Sequence, residues 1–277
     1  MSINRTLPLL TVSVVVLTLV VGCGPRKSPR EIETGSKAGD TPSPAASQAV
    51  GAGDVSKAFP SIALDYPPLG EVPGIDAAET EVAKDGNSAA ALRNLGYAYY
   101  KAAAYPQAAE YFEKSAKVAP DQPETLLFAG QSYMGMGDLD KALASLTKAS
   151  ALKGGKAEVK SLAFLQMGNC LFQQQKDPAA KAAFTKSLAL NPKQGAAKIA
   201  LGTYAAMDKQ TAKAKTLFTE ATRDLASSRV RGKAYASLGL IAEQAGDKAG
   251  ALANYKKALS DDPNSAAAKA GIKRVGG

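Results

Sequence analysis

The sequence predicts an all-α protein built from repeated units, and two observations carry this prediction. First, the composition is rich in Ala and Lys, aromatic residues make up only 6%, and Trp and His are absent. Ala and straight-chain residues lose little rotamer freedom in a helix, so this composition favours helices. Second, a short pattern recurs along most of the chain at intervals of 34 to 38 residues. Such intervals are typical of proteins that stack small structural units.

The recurring pattern starts at a glycine. Successive glycines are 34, 38, 34 and 37 residues apart, and an Ala follows each of them after 12 residues. These ten positions are Gly96, Ala108, Gly130, Ala142, Gly168, Ala180, Gly202, Ala214, Gly239 and Ala251. Four residues after each Ala comes a ring or a leucine: Phe112, Leu146, Phe184, Phe218 and Tyr255. We expect the small residues where two helices cross, because helix axes only about 8–10 Å apart leave little room for side chains.

This pattern resembles the tetratricopeptide repeat, a helix-turn-helix unit of 34 residues. The resemblance implies an all-α, right-handed superhelical solenoid of five repeats, followed by a C-terminal capping helix. The repeats fall at about residues 89–122, 123–156, 161–194, 195–228 and 232–265. The solenoid with its cap takes residues 89–277, and a polar, Ala-rich last stretch suits a cap over the open end. Where the spacing exceeds 34 residues, we expect the extra residues to lengthen the second helix of repeats two and four.

The first residues are typical of an export signal. An uncharged, largely apolar run at residues 7–21 follows one basic residue, Arg5. It is shorter than the roughly 20 residues that span a membrane, so it favours a secretory signal peptide. Residues 20–23 (VVGC) resemble the bacterial lipobox, although Val20 stands where that family prefers Leu. The resemblance implies a lipoprotein signal peptide at residues 1–22 and attachment of lipid, palmitate included, to Cys23.

An exported lipoprotein would be membrane-anchored outside the cytoplasm. We expect it on the outer membrane facing the periplasm if the cell has two membranes, and otherwise on the outer face of the cytoplasmic membrane. Residues 23–58 are predicted to form the lipidated Cys and a flexible tether, since Gly, Pro, Ser, Ala and charged residues dominate there.

Residues 59–88 are predicted to form a Pro-rich extended segment and a short helix. Four prolines exclude a helix from residues 59–75, which either lie on the first repeat, occupy its groove or bind a partner. Asp76 and Glu79 have the spacing of a capping box, which predicts a helix from there to about Lys84.

In the tetratricopeptide family the first helix of each repeat lines the concave face. Counted from the glycines, the resemblance implies a peptide-binding groove of apolar residues with a row of polar groups one turn away, able to pair with a peptide backbone. The groove residues are Arg93, Tyr97, Tyr100, Leu127, Gln131, Met134, Leu165, Asn169, Phe172, Ile199, Thr203 and Met207. The alternative for any of them is packing between adjacent helices.

The composition argues against enzymatic chemistry. Without His there is no Ser–His or Cys–His nucleophile and no imidazole metal ligand. The sequence also has no Gly-rich phosphate loop and no metal-ligand spacing, so we expect neither cofactor nor metal. Cys170 is expected to be a packed, inert thiol.

Charge is uneven along the chain. From residue 80 onward there are 28 Lys and Arg against 17 Asp and Glu, a net of +11. This basic surface either contacts anionic lipid or an acidic partner, or is simply solvated. Nucleic acid is not expected, because no aromatic residues interleave the basic ones.

The sequence therefore predicts a membrane-anchored scaffold or adaptor of the bacterial cell envelope. It would bind a peptide or helix of an envelope protein in its groove. The alternative is a regulator that docks onto and activates a cell-wall enzyme.

Overall fold

The computed structural model describes residues 73–224 and 227–276, and every regular element within those ranges is an α-helix. The twelve helices of these ranges are α1 (Ile75–Lys84), α2 (Ala89–Lys101), α3 (Tyr105–Val118), α4 (Pro123–Met136), α5 (Leu139–Ala151), α6 (Ala157–Gln173), α7 (Asp177–Leu190), α8 (Gly195–Met207), α9 (Thr211–Arg223), α10 (Ser228–Gln244), α11 (Lys248–Asp261) and α12 (Ala266–Gly276).

The helices stack in sequence order. Five hairpins each join a first helix (A helices: α2, α4, α6, α8 and α10) to a second (B helices: α3, α5, α7, α9 and α11). Each B helix also packs on the next A helix, and α12 packs on α10 and α11. Neighbouring A helices touch as well, as α2–α4, α4–α6 and α8–α10 do, whereas the described B helices do not pack on one another to that extent. The A helices therefore line the inner side of the solenoid that the sequence predicts.

Each recurring glycine lies directly under the large side chain of the B helix in its own hairpin. A Cβ placed on Gly168 would lie 2.5 Å from the Phe184 ring, and one on Gly202 would lie 2.7 Å from the Phe218 ring. No real Cβ tolerates such contacts with rigid neighbours. The five large side chains are at most 1% exposed, and the five recurring alanines are fully buried. The expectation that small residues mark the helix crossings is confirmed.

A second close approach in each hairpin was not recognised in the sequence. It joins the start of the A helix to the end of the B helix, nineteen residues after the glycine. There the Ser115 hydroxyl donates to the Ala89 carbonyl at 2.8 Å, and the Ser161 hydroxyl donates to the Ser187 carbonyl at 2.9 Å. The B-helix residues at this position are all small and at most 1% exposed: Ser115, Ala149, Ser187, Ala221 and Ala258. In the first and third hairpins, the glycine contact and this hydrogen bond together fix the angle between the two helices.

The turn between A and B helices has the same conformation in all five hairpins. One residue has a positive φ, and the turn residues are Ala103, Gly137, Gln175, Lys209 and Gly246. In the third hairpin the Gln175 N–H donates to the Phe172 carbonyl at 2.9 Å, and the Lys176 N–H donates to the Leu171 carbonyl at 2.8 Å. This pair of bonds is the Schellman motif, which satisfies the last carbonyls of a helix. Glycine occupies the position with positive φ in only two of these five turns.

The extra residues in the longer spacings do not extend the B helices, and that expectation is wrong. Helices α5 and α9 have 13 residues each, whereas α6 and α10 have 17, four more than α2 or α8. The additional turn therefore begins the following A helix early. Its physical reason is burial, because the added turns carry Val159 and Val230, which are only 2% and 7% exposed.

The first helix starts earlier than the capping box predicts. Gly74 is the N-cap of α1 and no side chain caps the helix, so the box expected from Asp76 and Glu79 is wrong. Ile75 joins the apolar cluster that α1 forms with α2, which favours a start before Asp76. Glu79 instead accepts a hydrogen bond from the Tyr99 hydroxyl at 2.7 Å and so links α1 to α2.

Helix α12 covers the end of the stack. The Tyr255 ring lies between Gly239 of α10 and Gly271 of α12, where no Cβ would fit at either glycine. Ten residues after Pro263 stands Lys273, at the position that Gly202 takes ten residues after Pro192. A lysine there leaves no room for the ring of a further B helix, so α12 acts as the predicted cap.

The turns provide a test of backbone strain. Gln175 is exposed and has φ 59°, a conformation that costs a non-glycine residue roughly 1–2 kcal/mol. Gln175→Gly should therefore raise the free energy of unfolding by about 0.5–1 kcal/mol, after the extra chain entropy of glycine is counted. The reverse change in the second hairpin, Gly137→Ala, should lower it by a similar amount. Urea unfolding followed by circular dichroism measures both, and equal signs for the two variants would contradict the account.

Candidate functional site

The candidate site is the stripe of the A helices that faces the inside of the stack. It contains the residues three before, one after and four after each glycine, which lie on one face of a helix because they are spaced by four and three residues. All twelve predicted groove residues except Met207 belong to this stripe, and Met207 follows it by one residue. The structure therefore brings them to one side of the A helices, but at very different depths.

The deepest positions are part of the core. Leu127 and Leu165 are fully buried and Ile199 is 4% exposed, because adjacent helices pack over them. For these three residues the structure shows packing between helices, the alternative that the sequence left open. Their side chains stabilise the stack and present no surface to a partner in this conformation.

The polar row is also nearly buried. Gln131 and Asn169 are each 6% exposed, Thr203 is 2% exposed, and Tyr97 is 5% exposed. The Thr203 hydroxyl donates to the Ile199 carbonyl of its own helix at 3.0 Å, so it is already satisfied. Asn169 differs, because its Nδ2 donates to Gln166 Oε1 at 2.9 Å while its Oδ1 has no partner among the described residues. An unpaired buried acceptor costs roughly 1–3 kcal/mol, so Asn169 is ready to accept a donor.

In repeats one to four, the accessible large apolar side chains of the candidate site lie at the C-terminal ends of the A helices, three in the stripe and one, Met207, directly after it. Tyr100, Met134 and Phe172 are half-buried and Met207 is 47% exposed. We call these four residues the inner rim. One further methionine that the sequence analysis missed, Met136, is 45% exposed at the end of α4. The inner rim is thus an apolar surface that crosses repeats one to four.

Ring contacts hold the aromatic members of the inner rim in place. Phe172 packs edge-on against Tyr204 with ring centroids 5.8 Å apart, and Tyr100 packs edge-on against Phe128 at 5.4 Å. Burial, with a smaller contribution from Tyr105, raises the pKa of Tyr100 to about 12, so this phenol stays neutral at ordinary pH. The rings are therefore preorganised and uncharged on the side that faces solvent.

The rim ends at charged groups. Arg93 stands half-buried in the first repeat. In the fifth, the Arg274 guanidinium of the cap donates to both oxygens of Glu243, at 2.7 and 2.9 Å. The Tyr255 hydroxyl donates to the same carboxylate at 2.6 Å. The Arg274 hydrogen bonds hold the pKa of Glu243 below its usual range. Glu243 thus serves to lock the cap, and the apolar surface stops before it.

Reactive groups are scarce in the described part of the chain. Cys170 is fully buried, and burial raises the pKa of its thiol to about 12, so it is an inert core residue as expected. Within residues 73–224 and 227–276 no group of three or more acidic or thiol side chains could hold a metal ion. None of the helices in these ranges is long and apolar enough to span a membrane. Cys23, the tether and the Pro-rich segment to residue 72 lie outside the described residues.

Three family models match the sequence, and each is described as a tetratricopeptide repeat. They match residues 99–163, 162–193 and 210–266, which together make up more than half of the chain. Comparison with curated proteins finds no match.

Solved structures with this fold come from several settings. A chain of the APC/C hetero-tetramer Cut9–Hcn1 is 20% identical with a TM-score of 0.62; the match covers 72% of this chain and 38% of that one. PilW, described as a type IV pilus biogenesis factor, is 20% identical with a TM-score of 0.57, over 70% of this chain and 87% of that one. YrrB, described as a TPR protein with an unusual peptide-binding site, is 16% identical with a TM-score of 0.50, over 72% of this chain and all of that one. Identities this low establish the fold alone.

Proposed function

Because this chain is a tetratricopeptide-repeat protein, we propose that it is a scaffold that binds a peptide or a helix of another protein along its inner rim. We further propose that lipid on Cys23 holds it at a membrane of the bacterial cell envelope. The observation that carries the binding role is the row of partly exposed apolar side chains on an otherwise well-packed inner face.

The inner rim suits an apolar segment of a partner. Its members recur from one A helix to the next, so a segment laid across the helices meets one apolar side chain in each of the first four repeats. Two of the four are methionines, whose flexible thioethers adapt to different contact shapes. The two rings are fixed by their neighbours, which lowers the entropy that binding must overcome. Peptide recognition through a groove of this kind depends on such anchors.

Asn169 adds a polar contact beside the rim. It lies three residues before Phe172 on the same side of α6, and its Oδ1 has no hydrogen-bond donor among the residues that the structure describes. A backbone N–H of a peptide resting on Phe172 would supply that donor. The buried amide would then select a partner whose backbone is extended enough to offer a free N–H.

Two of the similar structures provide precedents without identifying the partner. The peptide-binding site named for YrrB makes peptide recognition reasonable on this fold, and the pilus role named for PilW makes an envelope assembly reasonable. The membrane part of the proposal depends on the sequence near Cys23. Each buried CH₂ contributes about 0.8 kcal/mol, and stable anchoring needs two acyl chains or more, which a fully modified lipoprotein Cys carries.

The inner rim can be tested by charge. A photo-cross-linking residue in place of the exposed Gln173 would report partners bound beside the rim in cells. In that background, Phe172→Glu with Met207→Glu should reduce partner capture by at least about tenfold, because two carboxylates would have to be desolvated in an apolar contact. Cross-linked protein is quantified by mass spectrometry.

The matched control places the same charges on the B helices, which do not contribute to the inner rim. Ala179 and Ala212 are exposed on the B helices of the same two repeats, so Ala179→Glu with Ala212→Glu changes the net charge equally. Circular dichroism checks that both variants are folded. Equal capture by the rim variant and the parent chain would show that the partner does not use the inner rim.

The anchor can be tested independently of the rim. Metabolic labelling with an alkyne analogue of palmitate should mark the parent chain, and Cys23→Ser should abolish the label and release the protein from salt-washed membranes. Cys170→Ala is the control, since the equivalent residue of the first repeat is Ala98. It should keep the label and the membrane fraction. Membrane retention of the Cys23→Ser chain after a salt wash would rule out the proposed anchor.

A further inference from the structure

The outer side of the B helices has an unusual charge distribution. Its surface consists of the residues 14, 17, 18 and 21 positions after each glycine, which follow one another along one helix face. In repeats two to five these residues, which we call the outer stripe, are Ala144, Thr147, Lys148, Ala151, Ala182, Thr185, Lys186, Ala189, Thr216, Thr219, Glu220, Arg223, Ala253, Lys256, Lys257 and Ser260. Five of the sixteen are basic, one is acidic, and the others are Ala, Thr or Ser. All but Thr219 and Glu220 are exposed.

The one acidic residue of the outer stripe is paired with a lysine of the A helix. Glu220 Oε2 lies 3.1 Å from Lys198 Nζ, and the same ammonium lies 3.1 Å from Asp224 Oδ2. In the other repeats of the stripe the B helix carries the lysine, and the A helix carries an apolar residue where Lys198 stands: Leu126, Phe164 or Tyr235. The fourth repeat has therefore exchanged the two positions, and because Glu220 and Asp224 share one ammonium, the surface is less basic there than in the neighbouring repeats.

Two of the four lysines of the outer stripe lie over rings of the A helices. Lys186 Nζ lies 5.4 Å from the centroid of the Phe164 ring, and Lys257 Nζ lies 5.5 Å from that of Tyr235. Such contacts fix the aliphatic stem while the ammonium stays solvated. A lysine therefore recurs at the same position of the B helix in repeats two, three and five.

The first repeat lacks this character. At the same positions it has Glu110 and Glu113 beside Lys114 and Lys117, and the Glu110 carboxylate pairs with Lys114 Nζ at 2.6 Å. Glu113 accepts a hydrogen bond from the Tyr133 hydroxyl. The basic surface therefore begins at the second repeat and is a local property of the B helices there.

We propose that the outer stripe is a docking surface for the anionic headgroups of phospholipids. The small residues between the lysines let a broad charged surface approach closely, and lysines near an anionic membrane attract it electrostatically. The stripe has no buried polar group around which one phosphate ion could be enclosed, so a membrane surface fits it better than a single anion. Because the inner rim lies on the A helices, the protein can contact lipid and hold a partner at once.

This inference rests on the proposed function only for the location of the protein at a membrane. The test therefore uses a chain without the lipid anchor. The full chain with Cys23→Ser is mixed with vesicles of phosphatidylglycerol and phosphatidylcholine, or of phosphatidylcholine alone. The difference in affinity between the two kinds of vesicle measures the effect of headgroup charge separately from any binding by the apolar residues 7–21. Lys148→Gln, Lys186→Gln and Lys257→Gln together should lower affinity for the anionic vesicles by at least about tenfold.

A second triple variant provides the control for net charge. Lys101, Lys153 and Lys176 are exposed and lie outside the outer stripe, and their replacement by Gln removes the same charge. It should change the affinity less than about threefold. Equal losses in both triples, or no preference for the anionic vesicles in the parent chain, would overturn the proposal.

A fluorescent reporter shows which side meets the membrane. An environment-sensitive dye is attached at Thr185→Cys on the outer stripe, or at Gln173→Cys beside the inner rim, in the Cys23→Ser chain that also carries Cys170→Ala. Anionic vesicles should shift the emission of the dye at position 185 to the blue and leave that at 173 unchanged. A shift only at 173, or binding of soluble polyphosphate without binding of vesicles, would also overturn the proposal.

Discussion

The structure depends on one steric constraint, the contact between a glycine of each A helix and the ring or leucine of its own B helix. The glycine has no Cβ, so the large side chain lies directly on the backbone of the A helix and is removed almost completely from water. Burying such a side chain stabilises the fold by about 1.5–3 kcal/mol, and the contact recurs in all five hairpins. Each hairpin then offers a fresh surface on which the next A helix packs. Solenoid stability is the sum of such local contacts and the interfaces between neighbours.

The same constraint separates the two working surfaces. Since the glycine side of every A helix faces its B helix, the residues on the remaining inner side line the stack, and the far side of each B helix faces out. Along the inner rim, apolar side chains are left partly exposed at the C-terminal ends of the A helices. The outward side of the later B helices carries small residues and lysines, with its one carboxylate paired. A partner-binding face and a charged face therefore arise from one repeated hairpin.

The repeats could be predicted from the sequence because their signal is local. The contact of Gly168 with Phe184 needs those residue types at a spacing of 16, whatever surrounds them. The depth of a groove residue could not be predicted from the sequence. Leu127 and Leu165 look identical to exposed rim residues in the pattern, yet the packing of neighbouring helices buries them. The early start of α6 was missed for a related reason, since Val159 finds its contacts only in the folded stack. The link from Arg274 to Glu243 joins residues 31 apart and gave no sequence signal.

The central claim is that the glycines are required because of the rings, and a double-mutant cycle tests it most directly. In the parent chain, Gly168→Ala places a Cβ against the Phe184 ring and should lower the free energy of unfolding by about 1–3 kcal/mol. In a Phe184→Ala chain the space is open, so the same change should instead raise the free energy by up to about 1 kcal/mol, the helix preference of Ala over Gly. Urea unfolding of the four chains gives both values. A Gly168→Ala effect of the same sign and size in both backgrounds would contradict the account.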